Sequence, residues 1–421
     1  MTRWTRRRFG AAAGAAALAG IAAPSMAAAA ARLVIIGGGP AGATVARYLS
    51  RASSKCQVTL VEAEPRYHTC FFSNLYLSGL RSFESLSHGY EALQAKHGVT
   101  IVHDKVTAID ATARRISLAS GGGLDYDRLV VAPGIAFRWN AIEGLDEAAS
   151  QAVPHAWRGG AQMQLLRRQL EAMDDGGLFL MSIPPDPIRC PPGPYERVSM
   201  VACYFKREKP KSKILVLDSK NSFPKQELFQ DAWNRLYPGV VEWLPIDFHG
   251  GVKSVDAVAR NVAVANETFT YSVANVIPPH SAGTLALEVG LADDKGWCPV
   301  DPATLESKLV PGIHVVGDAI VPGEMPKSAF AANSQAKVCA MAIDALLGGR
   351  DPYEARFFNT CWSFVGIDDA VKVGASYRIV EGKIKAVEKF ISKVGESAET
   401  RKQGARQAEA WYAAISADAF G

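Results

Sequence analysis

The sequence predicts an α/β protein: two doubly wound domains, each on a parallel sheet, followed by a smaller C-terminal α+β domain. Apolar strand-like runs alternate with helix-like stretches at 31–62 and again at 178–218, the pattern of parallel β-α-β units. A further apolar run at 311–320 leads into a long alanine-rich helical stretch. From about 351 the chain reads as strands and then helix. With 421 residues and 48% hydrophobic content the chain buries a core large enough for two or three domains. The expected boundaries are a first domain in two pieces, 31–150 and 271–350, a second at 151–270, and a C-terminal interface domain at 351–421. Residues 1–30 stand apart from all three.

That leader carries "TRRRFG" (Thr5 to Gly10), an alanine-rich apolar stretch to Ile21, Pro24 and then small residues offering A-x-A-like cleavage sites. The apolar run falls short of the roughly 20 residues a membrane span requires. Paired Arg6 and Arg7 with Phe9 resemble a twin-arginine export signal, which implies a periplasmic mature protein beginning near Ala28 to Ala31, with no transmembrane segment. A formal net charge of +4 with scattered Lys and Arg excludes a nucleic-acid surface, and no DNA or RNA module is present.

The seven cysteines, Cys56, Cys70, Cys190, Cys203, Cys298, Cys339 and Cys361, show no C-x-x-C pair, no haem-attachment motif and no zinc spacing. No metal site is encoded. An oxidising compartment lets disulfides persist, and an odd count leaves at least one cysteine with another fate.

The first unit carries the strongest motif. "RLVIIGGGPAGATVARYLS" is an apolar strand, then Gly37-x-Gly39-x-x-Gly42, then a helix start, and "CQVTLVEAEP" is a second strand reaching Glu62. Gly37 allows the tight turn, Gly39 lets the backbone approach a pyrophosphate, Gly42 lets helix and strand pack closely, and Glu62 takes the ribose hydroxyls. The domain is therefore Rossmann-like. "PGIHVVGDAI" (Pro311 to Ile320) ends in Gly317-Asp318, placing Asp318 on a ribityl chain and opening the helix of "KSAFAANSQAKVCAMAIDALL"; Lys327 and Ser328 read either as donors to the flavin or as a plain helix start. With "YDRLVVAPGIAF" (Tyr126 to Phe137), these motifs resemble those of glutathione-reductase-type flavoproteins, and that resemblance implies FAD.

The second Rossmann-like domain departs from this type in its first loop, "SIPPDPIRCPPGPYE". Pro184, Pro185, Pro187, Pro191, Pro192 and Pro194 remove amide donors and stiffen the turn where nicotinamide-binding domains carry glycines. NAD is disfavoured. Cys190 in this loop precedes a helix whose dipole favours a thiolate, and reads either as reactive or as an inert thiol in a rigid turn.

The strings "YHTCFFSNLY", "HGYEAL", "CPPGPYER", "PKSKILVLDS", "GWCPVD", "GIHVVGDA", "MPKSAFAANSQ", "NTCWS" and "WYAAISADAFG" together resemble the flavoprotein subunit of flavocytochrome c sulfide dehydrogenases over essentially the whole mature chain. The resemblance implies FAD held covalently through Cys70, a redox-active disulfide between Cys190 and Cys361 beside the flavin, and hydrosulfide as substrate. It also implies a c-type cytochrome partner, since the haem must sit on a separate subunit. Glu196 reads as a proton carrier or as a favourable charge on a first helical turn, and Trp411 as a cover of the flavin site or as core. Cys298 belongs to the resembling strings without a derivable chemistry, and Cys56, Cys203 and Cys339 read as packing.

Beyond 368, "DDAVKVGASYRIVEGKIKAVEKFISKV" reads as a strand pair turning near Glu381-Gly382, then a basic amphipathic helix at about 384–394 with Val387, Phe390, Ile391 and Val394 on one side. That stripe reads as core first, with a cytochrome-facing surface or a membrane-surface anchor as alternatives. The rival functions are a sulfide:quinone oxidoreductase and a flavin electron-transfer subunit without sulfide chemistry.

Overall fold

The computed structural model describes residues 30–52 and 56–421; the expected leader and its twin arginines lie outside the described residues. Strand β1 (Ala31–Ile36) runs into helix α1 (Pro40–Ala52) and then β2 (Cys56–Val61), which pairs with β1 in parallel from Ala31 opposite Cys56 to Ile36 opposite Val61. In the same sheet β3 (Thr100–Val102) lies outside β2 and β4 (Arg128–Val131) on the other side of β1. Its strands are near-continuous apolar runs because both faces are covered, as parallel sheets require.

The second domain repeats the plan. Strand β5 (Leu178–Ile183), helix α2 (Gly193–Glu208), strand β6 (Lys213–Asp218), helix α3 (Gln226–Leu236), strand β7 (Val241–Leu244) and strand β8 (Val273–Val276) build a parallel sheet in the order β7-β6-β5-β8. This sheet runs to Val276, past the expected boundary at 270. The chain then returns to the first sheet, where β9 (Ile313–Val315) pairs with β4 and helix α4 (Ala329–Leu347) packs beside α1. The first domain is thus made from two distant pieces.

The C-terminal domain is an antiparallel sheet of β10 (Arg356–Gly366), β11 (Asp369–Val380) and β12 (Lys383–Ile391), against which helix α5 (Ala398–Phe420) packs. The turn falls at Glu381-Gly382 as expected, but 383–391 is a strand where the sequence predicts a basic helix. Pairing along β11 from Val380 opposite Lys383 to Val373 opposite Ile391 outweighs the helical spacing, with a register shift near Ser376 and Tyr377. Gly374 fixes the packing, because a Cβ there would lie 2.3 Å from the Phe390 ring. Val387, Phe390, Ile391 and Val394 are about half exposed and not core.

Candidate active site

The crossing of β1 and α1 builds the nucleotide end. Gly37 has a left-handed φ of +97°, and a Cβ there would meet Ala132 O at 2.4 Å; a Cβ on Gly42 would meet Gly37 O at 1.9 Å. At the end of β2 the Glu62 carboxylate accepts from the Gly38 amide at 2.6 Å and the Glu64 amide at 3.0 Å. Tyr90 Oη donates to Gly38 O at 3.1 Å and pins the loop from the other side.

A slot of about 620 Å³ runs past Gly37, Gly39, Gly42 and Glu62 to Asp318. Asp318 follows β9 through Gly317, whose φ is +82°. Its Oδ1 is buried without a hydrogen-bond partner among the described residues, and burial holds the carboxyl above its usual range. An open glycine loop, an acid at the end of β2 and an unpaired buried carboxylate oxygen at the far end fit FAD, the first two holding its adenosine diphosphate half and Asp318 its ribityl hydroxyls.

The slot opens into a chamber of about 110 Å³, and the two share Pro40, Tyr67, Cys70, Arg189, Asp318 and Ala332. Cys70 therefore stands at the junction, with Arg189 Nη2 3.5 Å from its Sγ. Cys190 and Cys361 both line the chamber, brought there from the proline loop of the second domain and from β10 of the third. Both are free thiols in this structure.

The loop that carries Cys190 is held by its backbone. Cys190 has a left-handed φ of +56°, its amide donates to Lys327 O at 2.6 Å, and its carbonyl accepts from Gly193 at 2.8 Å. Gly193 must be glycine, since a Cβ there would come within 2.8 Å of the Cys190 Sγ. The expected help from the helix dipole is outweighed: burial pushes the Cys190 thiol up, and the neighbouring Cys361 and Glu196 add to it.

Glu196, on the first turn of α2, also lines the chamber and accepts from the Phe364 amide at 3.1 Å. Burial pushes its carboxyl up to about 7, against the opposing pull of the Phe364 amide and Lys225. Trp411 of α5 closes the chamber in an aromatic wall, stacked at 5.6 Å on Trp362 and at 6.0 Å on Phe330.

Lys327 is placed differently from the flavin-donor reading. Its ammonium donates to the carbonyls of Asp318 at 2.8 Å and Ile320 at 2.6 Å and lies 3.6 Å from the centre of the Trp297 ring, outside the chamber wall. The nearby carbonyls satisfy it, so it braces the turn that carries Asp318. Ser328 caps α4 through Ala331 N and donates to Asn359. Cys203, Cys298 and Cys339 are buried, while Cys56 opens β2 partly exposed.

Three cations of the site have no role that the motifs around them announce, although Arg189 and Arg197 lie inside the quoted loop and "CPPGPYER". Arg189 reaches Cys70 and, at 4.0 Å, Asp318. Arg197 is 1% exposed and bonded to neutral acceptors on Asn74, His155, Ala156 and Asn275. Lys225 is 6% exposed and holds β10. The only advance signal is the charged pair Glu196-Arg197 ahead of the mostly apolar stretch from Val198 to Phe205.

At the corresponding position of the second domain the acid is taken up by neighbouring side chains. Asp218, at the end of β6 where a ribose-binding acid would stand, accepts from Tyr195 Oη at 2.5 Å, Trp243 Nε1 at 3.0 Å and Lys220 Nζ at 2.8 Å. Tyr195 is fully buried and stacks on Phe223 at 3.6 Å. From this domain Cys190 and Glu196 reach the chamber.

A nucleotide slot that opens into a chamber lined by two cysteines is the arrangement of a flavoprotein oxidoreductase of the disulphide-reductase class. Residues 31–170 match the pyridine nucleotide-disulphide oxidoreductase model, 163–278 the central region of the sulfide dehydrogenase [flavocytochrome c] flavoprotein chain, and 353–420 the flavocytochrome c sulphide dehydrogenase flavin-binding model. The chain belongs to the pyridine nucleotide-disulphide oxidoreductases of the flavocytochrome c sulfide dehydrogenase flavoprotein type, a family of sulfide-oxidising flavoproteins. It is 24% identical over 306 residues to the mitochondrial sulfide:quinone oxidoreductase of Mus musculus, covering 70% of this chain and 67% of that one. It is 32% identical over 110 residues to the sulfide-quinone reductase of Aquifex aeolicus, covering 26% of this chain and 25% of that one. The X-ray structure of the sulfide:quinone oxidoreductase from Aquifex aeolicus shares the fold, with a TM-score of 0.73 at 16% identity over 92% of each chain.

Proposed function

We propose that this chain is the flavoprotein subunit of a sulfide dehydrogenase that delivers electrons to a c-type cytochrome, with FAD anchored through Cys70 and a Cys190–Cys361 disulfide as the point of sulfide entry. The observation that carries this reading is the meeting of Cys70, Cys190 and Cys361, from three distant parts of the sequence, around one chamber at the end of the slot.

Bound there, FAD supplies a two-electron acceptor able to give electrons up one at a time. The chain's own residues do the sulfur chemistry. Hydrosulfide attacks Cys190 Sγ of the disulfide, a new S–S bond forms as the Cys190–Cys361 bond breaks, and the bond's electron pair leaves on Cys361 as a thiolate. Cys190 then carries a persulfide, and charge is conserved. Glu196 takes the proton of hydrogen sulfide at its carboxylate, which a carboxyl titrating near neutrality can do at working pH. Trp411, Trp362 and Phe330 form an apolar wall that excludes water from the leaving thiolate.

The cytochrome reading is supported by the two flavocytochrome family matches and, with the periplasmic location, by the twin-arginine leader. The names of the relatives favour quinone as the second reading, and no described helix is long and apolar enough to cross a membrane. The test is the acceptor: sulfide-dependent reduction of cytochrome c in buffer, compared with a quinone analogue in detergent. Faster turnover with cytochrome c is expected, and quinone-only turnover would replace the reading with its rival.

Glu196→Gln gives a sharper check on the proton step. At a fixed concentration of hydrogen sulfide, the form whose proton Glu196 takes, flavin reduction in the unaltered protein should rise as pH passes through about 7, where Glu196 loses its proton. The variant should lose that rise and run about 100-fold slower at the alkaline end. An unchanged profile would remove Glu196 from the proton path.

A further inference from the structure

Lys225 stands in the turn before α3 with a left-handed φ of +63°, and its side chain crosses from the second domain into the third. Its ammonium donates to the Cys361 carbonyl at 3.2 Å and to Ser363 Oγ at 2.7 Å, and it lies 5.6 Å from the centre of the Phe229 ring. Among the described residues it makes no ion pair. A buried ammonium without a bound carboxylate is costly unless an anion forms nearby. The titratable groups that face it are Cys361 from β10, Glu196 from α2 and Cys190 from the loop before α2.

Lys225 is tied by both hydrogen bonds to the strand that carries Cys361 and, among the described residues, makes none to the loop that carries Cys190. At Cys361, Lys225 is the foremost influence opposing burial, and Asn359 Nδ2 stands 3.4 Å from the sulfur. At Cys190, burial is reinforced by Cys361 and by Glu196, with Lys225 behind both. A disulfide breaks toward the sulfur whose thiolate is better stabilised.

Resting on the function proposed above, we propose that Lys225 is a positioning residue that makes Cys361 the leaving sulfur: it stabilises the Cys361 thiolate and so directs hydrosulfide to Cys190. The electron pair of the broken bond then lies beside a fixed positive charge. Neither the glycine motif nor the cysteine strings mark Lys225; it lies in the unremarked "SFPKQELF".

The test uses the full flavin-loaded protein, the small reagent methyl methanethiosulfonate and peptide mapping across pH. Labelling is done before and after reduction of the disulfide with a phosphine, anaerobically. In the reduced protein, Lys225→Met should raise the midpoint of Cys361 labelling by about one pH unit, roughly a tenfold loss of thiolate near neutrality, and Lys225→Arg should restore it. Ser363→Ala, which loosens the ammonium without removing it, should give a smaller rise and serves if Lys225→Met fails to load flavin. A purely structural lysine would alter folding and flavin content but leave the midpoint in place. An unmoved Cys361 midpoint in both variants overturns the role of Lys225. Labelling of both cysteines without any reductant would instead overturn the disulfide reading, while the midpoint comparison still decides the question of Lys225.

Discussion

Cys190→Ala is expected to retain bound flavin and to lose sulfide-driven flavin reduction by more than about 10³-fold. On the proposed mechanism the substitution removes the sulfur that hydrosulfide attacks and leaves Cys361 without its disulfide partner, Cys70 being the one that holds the flavin. Everything that would hold the cofactor, the Gly37 to Gly42 loop, Glu62, Cys70 and Asp318, lies outside the change. The backbone of the Cys190 loop keeps its hydrogen bonds to Lys327 and Gly193 in the variant, since those use main-chain atoms. Stopped-flow mixing with sulfide reads the outcome. A variant within tenfold of the unaltered protein would mean that electrons enter without the cysteine pair, and the electron-transfer-subunit reading would then stand in its place.

Gly42→Val is expected to lower flavin content to about a tenth or less. The new Cβ would sit 1.9 Å from the Gly37 carbonyl oxygen and 3.3 Å from the Ala132 Cβ, so α1 must back away from the loop. No flexible side chain can absorb this, because the nearest atom is backbone in a tight turn. The helix N-terminus then no longer faces the pyrophosphate. Flavin absorbance per protein reads the effect, and circular dichroism separates it from global unfolding. Full flavin loading would place the cofactor elsewhere than in this slot.

What the sequence shows of this protein follows how local each feature is. β1, the glycine loop, α1 and β2 are consecutive, so their spacing reveals them, and Gly317-Asp318 marks the returning piece of the first domain by its own short pattern. The proline loop likewise sets the second domain apart from nicotinamide-binding ones, although Tyr195 and Trp243 closing on Asp218 is visible only in three dimensions. The error at 383–391 has the opposite cause. Val387, Phe390 and Ile391 stand at helical intervals, but partners on β11 decide their state, and those partners are set by sheet registry. Arg189, Arg197 and Lys225 escape sequence reading for a related reason. A lone cation reads as a solvated side chain until the fold brings Cys70, Asn74 and the carbonyl of Cys361 against it. Lys327 misleads in reverse, because its place before α4 suggests a ligand while the carbonyls that hold it lie in the preceding turn.

The most direct measurement is anaerobic addition of sulfide to the purified flavoprotein while following the flavin band at about 450 nm. Loss of that band within the mixing experiment, complete near one sulfide per flavin, is the predicted result. A flavin that stays oxidised under sulfide yet bleaches with dithionite would contradict the assignment of sulfide to this site.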